Sequence, residues 1–315
     1  MKKWLIGLSL IVILAVGSIY FFIPSKLLVS AVTPSSSTFN TAIAFSSNSK
    51  VWYKWWPGTL SQKDSNCNNC VATYKDVQYR IISMSYNNTK LQLVHKNDTT
   101  LVSLAVAEFV HDSIKIITQF NFNASINPIK RIQQYNEAAY LKQNIHEVIK
   151  SLKIFMENPL NIYGFTINST MVKDTVLMSG KNIFTHTPTT TEIYALVSQI
   201  RNHIRQNGGI ETNAPMLNVT KYGDGTYKTM VAIPVNHTLP VTDKIELKRM
   251  VVGRILESDS IKGGSTSVNT SFKMFEKYFT DFKHTSPAIP FQLLVTDRDK
   301  TDSTKWITRF YYPIF

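Results

Sequence analysis

The end of the chain, Pro287–Phe315, is the feature that most constrains its fold. Two apolar runs rich in β-branched and aromatic residues, Phe291–Thr296 and Trp306–Ile314, flank the polar loop Asp297–Lys305. This arrangement predicts two antiparallel strands that close a sheet. The preceding segment, Ser265–Lys283, has apolar residues spaced three and four positions apart, which predicts a helix with one face packed on that sheet.

Earlier segments extend this pattern back to about residue 160. They are a strand-like run at Ile162–Ile167, a helical pattern at Thr189–Gln206 that stops at Gly208-Gly209, and two strand-like runs within Ala214–Val235. Together with the closing Thr308-x-Phe310-Tyr311-Tyr312-Pro313, they resemble the GyrI-like effector-binding domain, the small-molecule sensor module of AraC-type and MerR-type regulators. Strand–helix–strand–strand occurs twice, in Ile162–Val235 and Lys248–Ile314, which fits the duplicated unit of that family. The resemblance implies an α+β domain over residues 160–315 that binds a small molecule.

The same resemblance implies a ligand groove between the two repeats, lined by aromatic residues. The residues implied for this groove are Tyr222, Phe291, Gln292, Trp306, Phe310 and Tyr312. Many family members carry Glu and Tyr two positions apart on the strand after the second helix, where this chain has Gln292 and Leu294. An amide is a neutral donor and acceptor, so we expect an uncharged ligand. For each aromatic residue the alternative role is core packing, and strand alternation allows only one of the pairs Phe291/Leu293 and Gln292/Leu294 to face the groove.

The first half of the chain, residues 25–159, follows a different order of elements. It has a strand-like Lys26–Thr33, a segment containing Trp52, Trp55 and Trp56, four strand-like runs (Val71–Met84, Lys90–His95, Thr99–Phe109, Ser113–Phe122) and a long amphipathic Ile129–Met156. This order resembles the SRPBCC fold (START-like, polyketide-cyclase-like), a helix-grip domain of an antiparallel sheet and a long C-terminal helix. The resemblance implies an apolar cavity, for which Trp52, Trp55, Tyr135 and Tyr140 are the candidate lining residues. Core packing is again the alternative role for each.

The N-terminus carries Lys2 and Lys3, followed by twenty uncharged residues, Trp4–Ile23. At about 1.5 Å per residue such a helix spans ~30 Å, the hydrocarbon thickness of a bilayer. Residues 1–24 are therefore predicted to be a single-pass transmembrane anchor, with the rest of the chain extracytoplasmic (periplasmic). A cleaved signal peptide is the alternative. A membrane segment followed by these two domains resembles a type of bacterial membrane-anchored protein.

The two cysteines, Cys67 and Cys70, form a single C-x-x-C in a polar segment. A structural zinc ion needs four ligands, and the sequence offers no second pair at suitable spacing. In an extracytoplasmic compartment a small loop disulfide is the preferred interpretation. No metal and no cofactor are expected.

The net charge of +13 is spread along the chain and forms no basic run interleaved with aromatic residues, so no nucleic-acid partner is expected. The leading hypothesis is a membrane-tethered protein that binds a small apolar molecule without catalysis. One alternative is a START-like cyclase or hydrolase, whose only clustered ionisable candidates are Glu108, His111 and Asp112. Another is an envelope interaction or structural protein, which a large exposed apolar patch would favour.

Overall fold

The structure is a computed structural model that describes residues 2–61, 71–96, 98–110, 113–286 and 288–314. It divides into two compact units, one ending at Asn158 and the next beginning at Pro159. The predicted boundary between residues 159 and 160 lies one residue from this division. Both units combine antiparallel sheets with helices, so the predicted α+β class is confirmed.

Helix α1, Lys2–Phe22, forms over most of the segment predicted to be an anchor. Within the part of the chain that the structure describes, however, no helix is long and apolar enough to cross a membrane, and the predicted membrane span is not supported. The C-terminal end of α1 is held by Arg131, whose Nε and Nη2 donate to the carbonyl of Ile23 at 2.8 and 2.5 Å.

The first unit contains a seven-stranded antiparallel sheet. Its strands are β1 (Lys26–Ser35), β2 (Thr59–Leu60), β3 (Ala72–Tyr74), β4 (Val77–Ser85), β5 (Asn88–His95), β6 (Asp98–Val110) and β7 (Ser113–Asn123). The order across the sheet is β1-β7-β6-β5-β4-β3-β2, a meander to which β1 adds at the β7 edge. Helix α2 (Phe39–Ser46) and a 3-10 helix (Ser49–Lys54) connect β1 to β2.

A long helix, α3 (Pro128–Met156), packs against this sheet, as the periodicity predicts. It begins where the Asn127 side chain accepts hydrogen bonds from the backbone N–H groups of Ile129 and Lys130. Its buried apolar face, which includes Leu141, Ile145 and Leu152, joins the inward faces of the strands in one hydrophobic core. An antiparallel sheet with a long C-terminal helix is thus observed, while membership of the SRPBCC family stays a prediction.

Over its described residues, the second unit contains a nine-stranded antiparallel sheet, three α-helices and the 3-10 helix Ser303–Lys305. Its strands are β8 (Ile167–Met171), β9 (Val176–Phe184), β10 (Met216–Lys221), β11 (Tyr227–Pro234), β12 (Glu246–Arg249), β13 (Arg254–Ser258), β14 (Ile261–Lys262), β15 (Phe291–Leu294) and β16 (Ile307–Ile314). Its helices are α4 (Pro159–Tyr163), α5 (Thr190–Gln206) and α6 (Ser265–Asp281). The strand predicted at Ile162–Ile167 is wrong: the chain is helical through Tyr163, turns at Gly164 with a φ of 89°, and enters β8 only at Ile167.

The sheet order β12-β9-β11-β10-β15-β16-β13-β8 shows an internal duplication. The first repeat is β9-α5-β10-β11 and the second is β13-α6-β15-β16, and the two meet where β10 pairs with β15. Each repeat is also preceded by a strand that pairs with the other repeat: β8 pairs with β13, and β12 pairs with β9. The predicted strand–helix–strand–strand unit is therefore present twice, with an exchanged edge strand that the sequence pattern did not predict.

This exchange requires the sheet to curl. Strand β8 lies six strand positions from β9, which in a flat sheet would be about 29 Å. The chain covers the connection from Met171 to Val176 in five residue steps, which reach at most about 18 Å. The two edges of the sheet must therefore approach each other.

Helices α5 and α6 cover one face of this sheet. The apolar side of α5 packs with residues such as Leu217 and Leu294, and that of α6 packs with Leu256 and Phe310. The opposite face carries a separate apolar cluster, consisting of Leu177, Met216, Ala232, Ile255, Phe291 and Leu293. Neither α5 nor α6 covers that second cluster, and it forms the floor of a cavity.

Candidate ligand-binding cavity

A cavity of about 220 Å³ lies in the second unit, on the sheet face opposite α5 and α6. Its apolar lining is contributed by Met171, Val172, Met216, Met250, Ile255, Phe291 and Leu293. Two connecting segments lie beside it, residues 172–175 between β8 and β9 and residues 250–253 between β12 and β13. These segments bond to each other, since the N–H of Val172 donates to Gly253 O at 3.0 Å and that of Met250 donates to Thr175 O at 3.1 Å.

Three polar side chains meet at one wall of this cavity. Glu257 on β13 accepts hydrogen bonds through Oε1 from Arg309 Nη1 at 2.9 Å and from the Tyr311 hydroxyl at 2.6 Å. Arg309 Nε lies 3.2 Å from Ser260 Oγ. The arrangement follows from the strand register, which places Glu257 opposite Tyr311, and from strand alternation, which puts Arg309 and Tyr311 on the same face of β16.

The environment shifts the pKa values of two of these groups upward. Burial, and then the hydrogen bond to Glu257, raise the pKa of the Tyr311 hydroxyl. Hydrogen bonds with Tyr311 and Glu257 raise the pKa of Arg309. Near neutral pH, the tyrosine is therefore a neutral donor and the arginine a fixed cation, and both are directed at the same carboxylate.

The Tyr311 ring also forms part of the apolar wall. It stacks on Phe291 of the neighbouring strand, with ring centroids 5.0 Å apart and planes 7° from parallel. A stacked aromatic pair beside three methionines gives an apolar surface that can adjust its shape, because methionine side chains are flexible and polarisable.

The structure places one of the six predicted groove residues, Phe291, at this cavity. Gln292 lies on the helix-covered face, because it alternates with Phe291 and pairs with Phe310. Phe310 is fully buried beneath α6, and Tyr312 stacks on Phe279 of α6 with centroids 3.8 Å apart.

The remaining two predicted residues also lie away from the cavity. Trp306 is buried immediately before β16, where its indole N–H donates to Thr301 O at 2.9 Å. Tyr222 is exposed in the turn after β10. The polar wall of Glu257, Arg309 and Tyr311 was not predicted; the signal available in the sequence was that Arg309 and Tyr311 alternate with the aromatic residues chosen for the groove.

In the first unit, the predicted cavity residues occupy different environments. Trp52 and Trp55 are buried in the core, where their indole N–H groups donate to Ser46 O and Phe45 O. Tyr135 is exposed, and Tyr140 is half-buried at the edge of a surface depression. The four side chains therefore do not share one environment, since the two tryptophans belong to the hydrophobic core of the first unit and the two tyrosines lie at or near its surface.

The depression beside Tyr140 has a volume of about 850 Å³ and contains a cluster of ionisable groups. The buried His95 lies between two carboxylates, with Nδ1 at 2.5 Å from Glu137 Oε1 and Nε2 at 2.8 Å from Asp76 Oδ2. The Tyr140 hydroxyl donates to the second carboxyl oxygen of Asp76. Burial alone would lower the pKa of His95, but hydrogen bonds to Glu137 and Asp76 outweigh it, and the pKa is raised.

Both imidazole nitrogens of His95 are thus occupied by carboxylates, so the ring has no free nitrogen to act as a base. Over the described parts of the chain, no group of three or more His, Cys, Asp or Glu side chains is placed to hold a metal ion. The predicted disulfide residues Cys67 and Cys70, and the alternative catalytic residues His111 and Asp112, lie outside the described residues.

The chain was compared with known families, curated proteins and solved structures. No family model matches it, and no curated protein matches it. Solved structures similar to it include the C-terminal domain of EcmrR, at 14% identity and a TM-score of 0.41, over 48% of this chain and 98% of that one. SAV2435 bound to tetraphenylphosphonium matches at 13% identity and a TM-score of 0.33, over 48% of this chain and 94% of that one.

A hydrolase from Listeria innocua is also similar, at 9% identity and a TM-score of 0.35, over 47% of this chain and 92% of that one. Likenesses at this level assign no function to this chain, whose chemistry depends on the residues of its own cavity.

Proposed function

We propose that the second unit binds one small, largely apolar molecule in the cavity beside Glu257, Arg309 and Tyr311. The observation that carries this proposal is an apolar hollow with a few convergent polar groups, which is the usual composition of a small-molecule site. The resemblance of the sequence to GyrI-like domains gives the same expectation.

The size of the cavity limits the ligand. Sites for drug-sized molecules usually measure roughly 300–1,000 Å³, and this cavity measures about 220 Å³. A ligand that fits without rearrangement is therefore smaller than a typical drug. A larger one requires the methionine side chains, or the connecting segments 172–175 and 250–253, to move.

The polar wall is a binding surface with paired charges. Glu257 Oε1 accepts hydrogen bonds from Arg309 and Tyr311, and the charge of Glu257 is paired with that of Arg309. These bonds hold the three side chains of the polar wall in place, while the methionine side chains of the lining can adjust to the ligand. The proposed role is reversible capture, with no covalent step. An extracytoplasmic location stays a prediction from the sequence.

The test compares ligand binding by the wild type with that by two tryptophan variants of adjacent residues. Met250→Trp places a large side chain in the cavity, whereas Val251→Trp changes the next residue, which is exposed and does not line the cavity. With neopentylbenzene as the probe, ligand-detected NMR is expected to show binding by the wild type and Val251→Trp. Met250→Trp should bind about tenfold more weakly or worse, because the added ring occupies the ligand volume.

Native mass spectrometry of the purified protein gives an independent measurement, since a co-purified molecule should be present in the wild type and depleted in Met250→Trp. Equal probe binding by all three proteins, or none by the wild type, contradicts the proposal.

A further inference from the structure

We infer that this cavity selects an uncharged ligand, because its carboxylate is already neutralised by an arginine of the same wall. This inference rests on the proposed function and names the ligand class. Glu257 and Arg309 lie on adjacent strands, β13 and β16, and their side chains meet on the cavity face.

More than one contact holds the Glu257–Arg309 ion pair in position at the cavity wall. The Glu257 oxygen that accepts from Arg309 at 2.9 Å also accepts from Tyr311 at 2.6 Å, and Arg309 Nε lies 3.2 Å from Ser260 Oγ. Charge-assisted bonds of this kind hold a guanidinium in a defined position. Since arginine stays protonated under all ordinary conditions, the positive charge cannot be removed to admit a cation.

The other charged residues that line the cavity leave its net charge unchanged. Lys173 and Asp174 are adjacent on the connecting segment and have opposite charges, so the lining carries two positive and two negative side chains. Asp174 Oδ2 additionally accepts from Asn213 Nδ2 at 2.8 Å. A cationic ligand beside Glu257 would be repelled by Arg309, and an anionic ligand beside Arg309 would be repelled by Glu257.

Removing either partner should therefore change the charge preference in a predictable direction. Arg309→Met keeps an unbranched apolar stem and leaves Glu257 uncompensated, which should favour a cation. Glu257→Gln keeps the shape and leaves Arg309 uncompensated, which should favour an anion. A structural salt bridge with no part in ligand selection would lower stability in both variants without opposite changes in preference.

The experiment uses three probes of similar shape and different charge: benzyltrimethylammonium, neopentylbenzene and phenylmethanesulfonate. Dissociation constants are measured for the full chain by ligand-detected NMR at fixed ionic strength. The wild type is expected to bind neopentylbenzene about tenfold or more tightly than either ion, since a like charge opposes each ion. Arg309→Met should gain about tenfold or more for the cation, and Glu257→Gln a similar factor for the anion.

Arg254→Met is the matched control, because Arg254 lies on the same strand as Glu257 but does not line the cavity. It changes the net charge as Arg309→Met does and should leave all three affinities unchanged. Circular dichroism checks folding, and if one variant is unfolded the other variant decides the test.

If the wild type binds neopentylbenzene, equally tight binding of the cation by the wild type, or no gain of ion binding in the folded variants, overturns the inference and leaves the proposed function standing. Absence of neopentylbenzene binding by the wild type overturns both.

Discussion

His95 of the first unit is a buried histidine held from both sides by carboxylates. Burial disfavours the charged imidazolium, whereas the hydrogen bonds to Glu137 and Asp76 favour it, and the balance raises the pKa of His95. The partners come from three elements: His95 ends β5, Glu137 lies on α3, and Asp76 lies between β3 and β4. The charged histidine therefore joins the sheet to the helix.

This arrangement predicts a pH-dependent contribution to stability. A histidine whose pKa is raised on folding stabilises the fold fully below its unfolded pKa of about 6.5, and this contribution is lost as pH rises through the folded value. His95→Gln should therefore be most destabilising at about pH 6 and less so at about pH 9. Thermal unfolding of both proteins across this range, followed by circular dichroism, measures the difference.

The Glu137→Gln variant tests the cause directly. Loss of one carboxylate should lower the pKa of His95, which an NMR titration of the imidazole reports. Glu211→Gln is the control, because it removes the same charge from a pair with Arg201 in which no histidine takes part. An unchanged His95 pKa in Glu137→Gln contradicts the assignment.

At the scale of elements, the segment from Trp52 to Gly58 fixes the interior of the first unit. Trp52 stacks on Trp56 with centroids 4.9 Å apart, and the Trp56 indole N–H donates to Thr73 O at 3.1 Å. Gly58 lies against that same carbonyl: a Cβ added to it would be 1.9 Å from Thr73 O. The chain thus needs glycine where it passes β3.

Gly58→Ala should consequently destabilise the first unit. The added methyl group cannot fit without moving the backbone of β3, and overpacking of this kind costs about 1–3 kcal/mol. Urea unfolding followed by circular dichroism measures the free energy of unfolding. Gly223→Ala serves as the control, because a Cβ there meets nothing within 4 Å and the backbone φ is not positive. Equal free energies of unfolding for the two variants would show that the backbone near Gly58 can move to accept the methyl group, and would contradict the prediction.

The strands and helices were largely predictable from the sequence, whereas the face of each strand that meets a ligand was not. Apolar periodicity located α3, α5, α6 and the hairpin of β10 and β11, because these segments bury one continuous stripe. Alternation on β16 separates Phe310 from Tyr311 but does not say which face a helix covers. Phe310 and Tyr312, which were chosen for the groove, therefore fell on the helix-covered face.

Glu257 illustrates a second limit of sequence reasoning. A single carboxylate on a short strand is usually solvated, and only the pairing of β13 with β16 brings it to Arg309 and Tyr311, more than fifty positions later in the chain. The edge strand β8 was predicted about five residues too early in the chain for a similar reason. Three of its five residues, Ile167–Met171, are polar, and the strand pairs with the other repeat, so local patterning carries little information about it.

At the scale of the whole molecule, the two units use an antiparallel sheet differently. In the first, apolar side chains that include Trp52 and Trp55 form one core with the sheet and its long helix. In the second, the helices cover one face and the exchanged strands curl the sheet around the other, which leaves a cavity there. The exchange of β8 and β12 is therefore the feature that links the duplication to the proposed binding site.

The exchange of the edge strands β8 and β12 predicts which strands of the second unit lose protection from amide hydrogen exchange together. Adjacent residues of an antiparallel edge strand alternate between hydrogen-bonded and non-hydrogen-bonded pairs, so proline at two consecutive positions must remove a bond. In the double variant Asn168→Pro/Ser169→Pro, the pairing of β8 with β13 is lost. In Leu247→Pro/Lys248→Pro, the pairing of β12 with β9 is lost. Amide hydrogen exchange should become about tenfold or more faster in β13 for the first variant and in β9 for the second.

The two variants control for each other, because each removes an edge strand of similar length from one end of the same sheet. If stability followed chain order instead of pairing, the β8 variant would expose β9, its neighbour in sequence, and the β12 variant would expose β13. Faster exchange in the sequence neighbour in both variants would contradict the exchange, and with it the closure of the cavity by residues 172–175 and 250–253. Faster exchange in β13 for the β8 variant and in β9 for the β12 variant would show that each repeat depends on the edge strand that precedes the other. The shape of the proposed binding site would then depend on the same pairing.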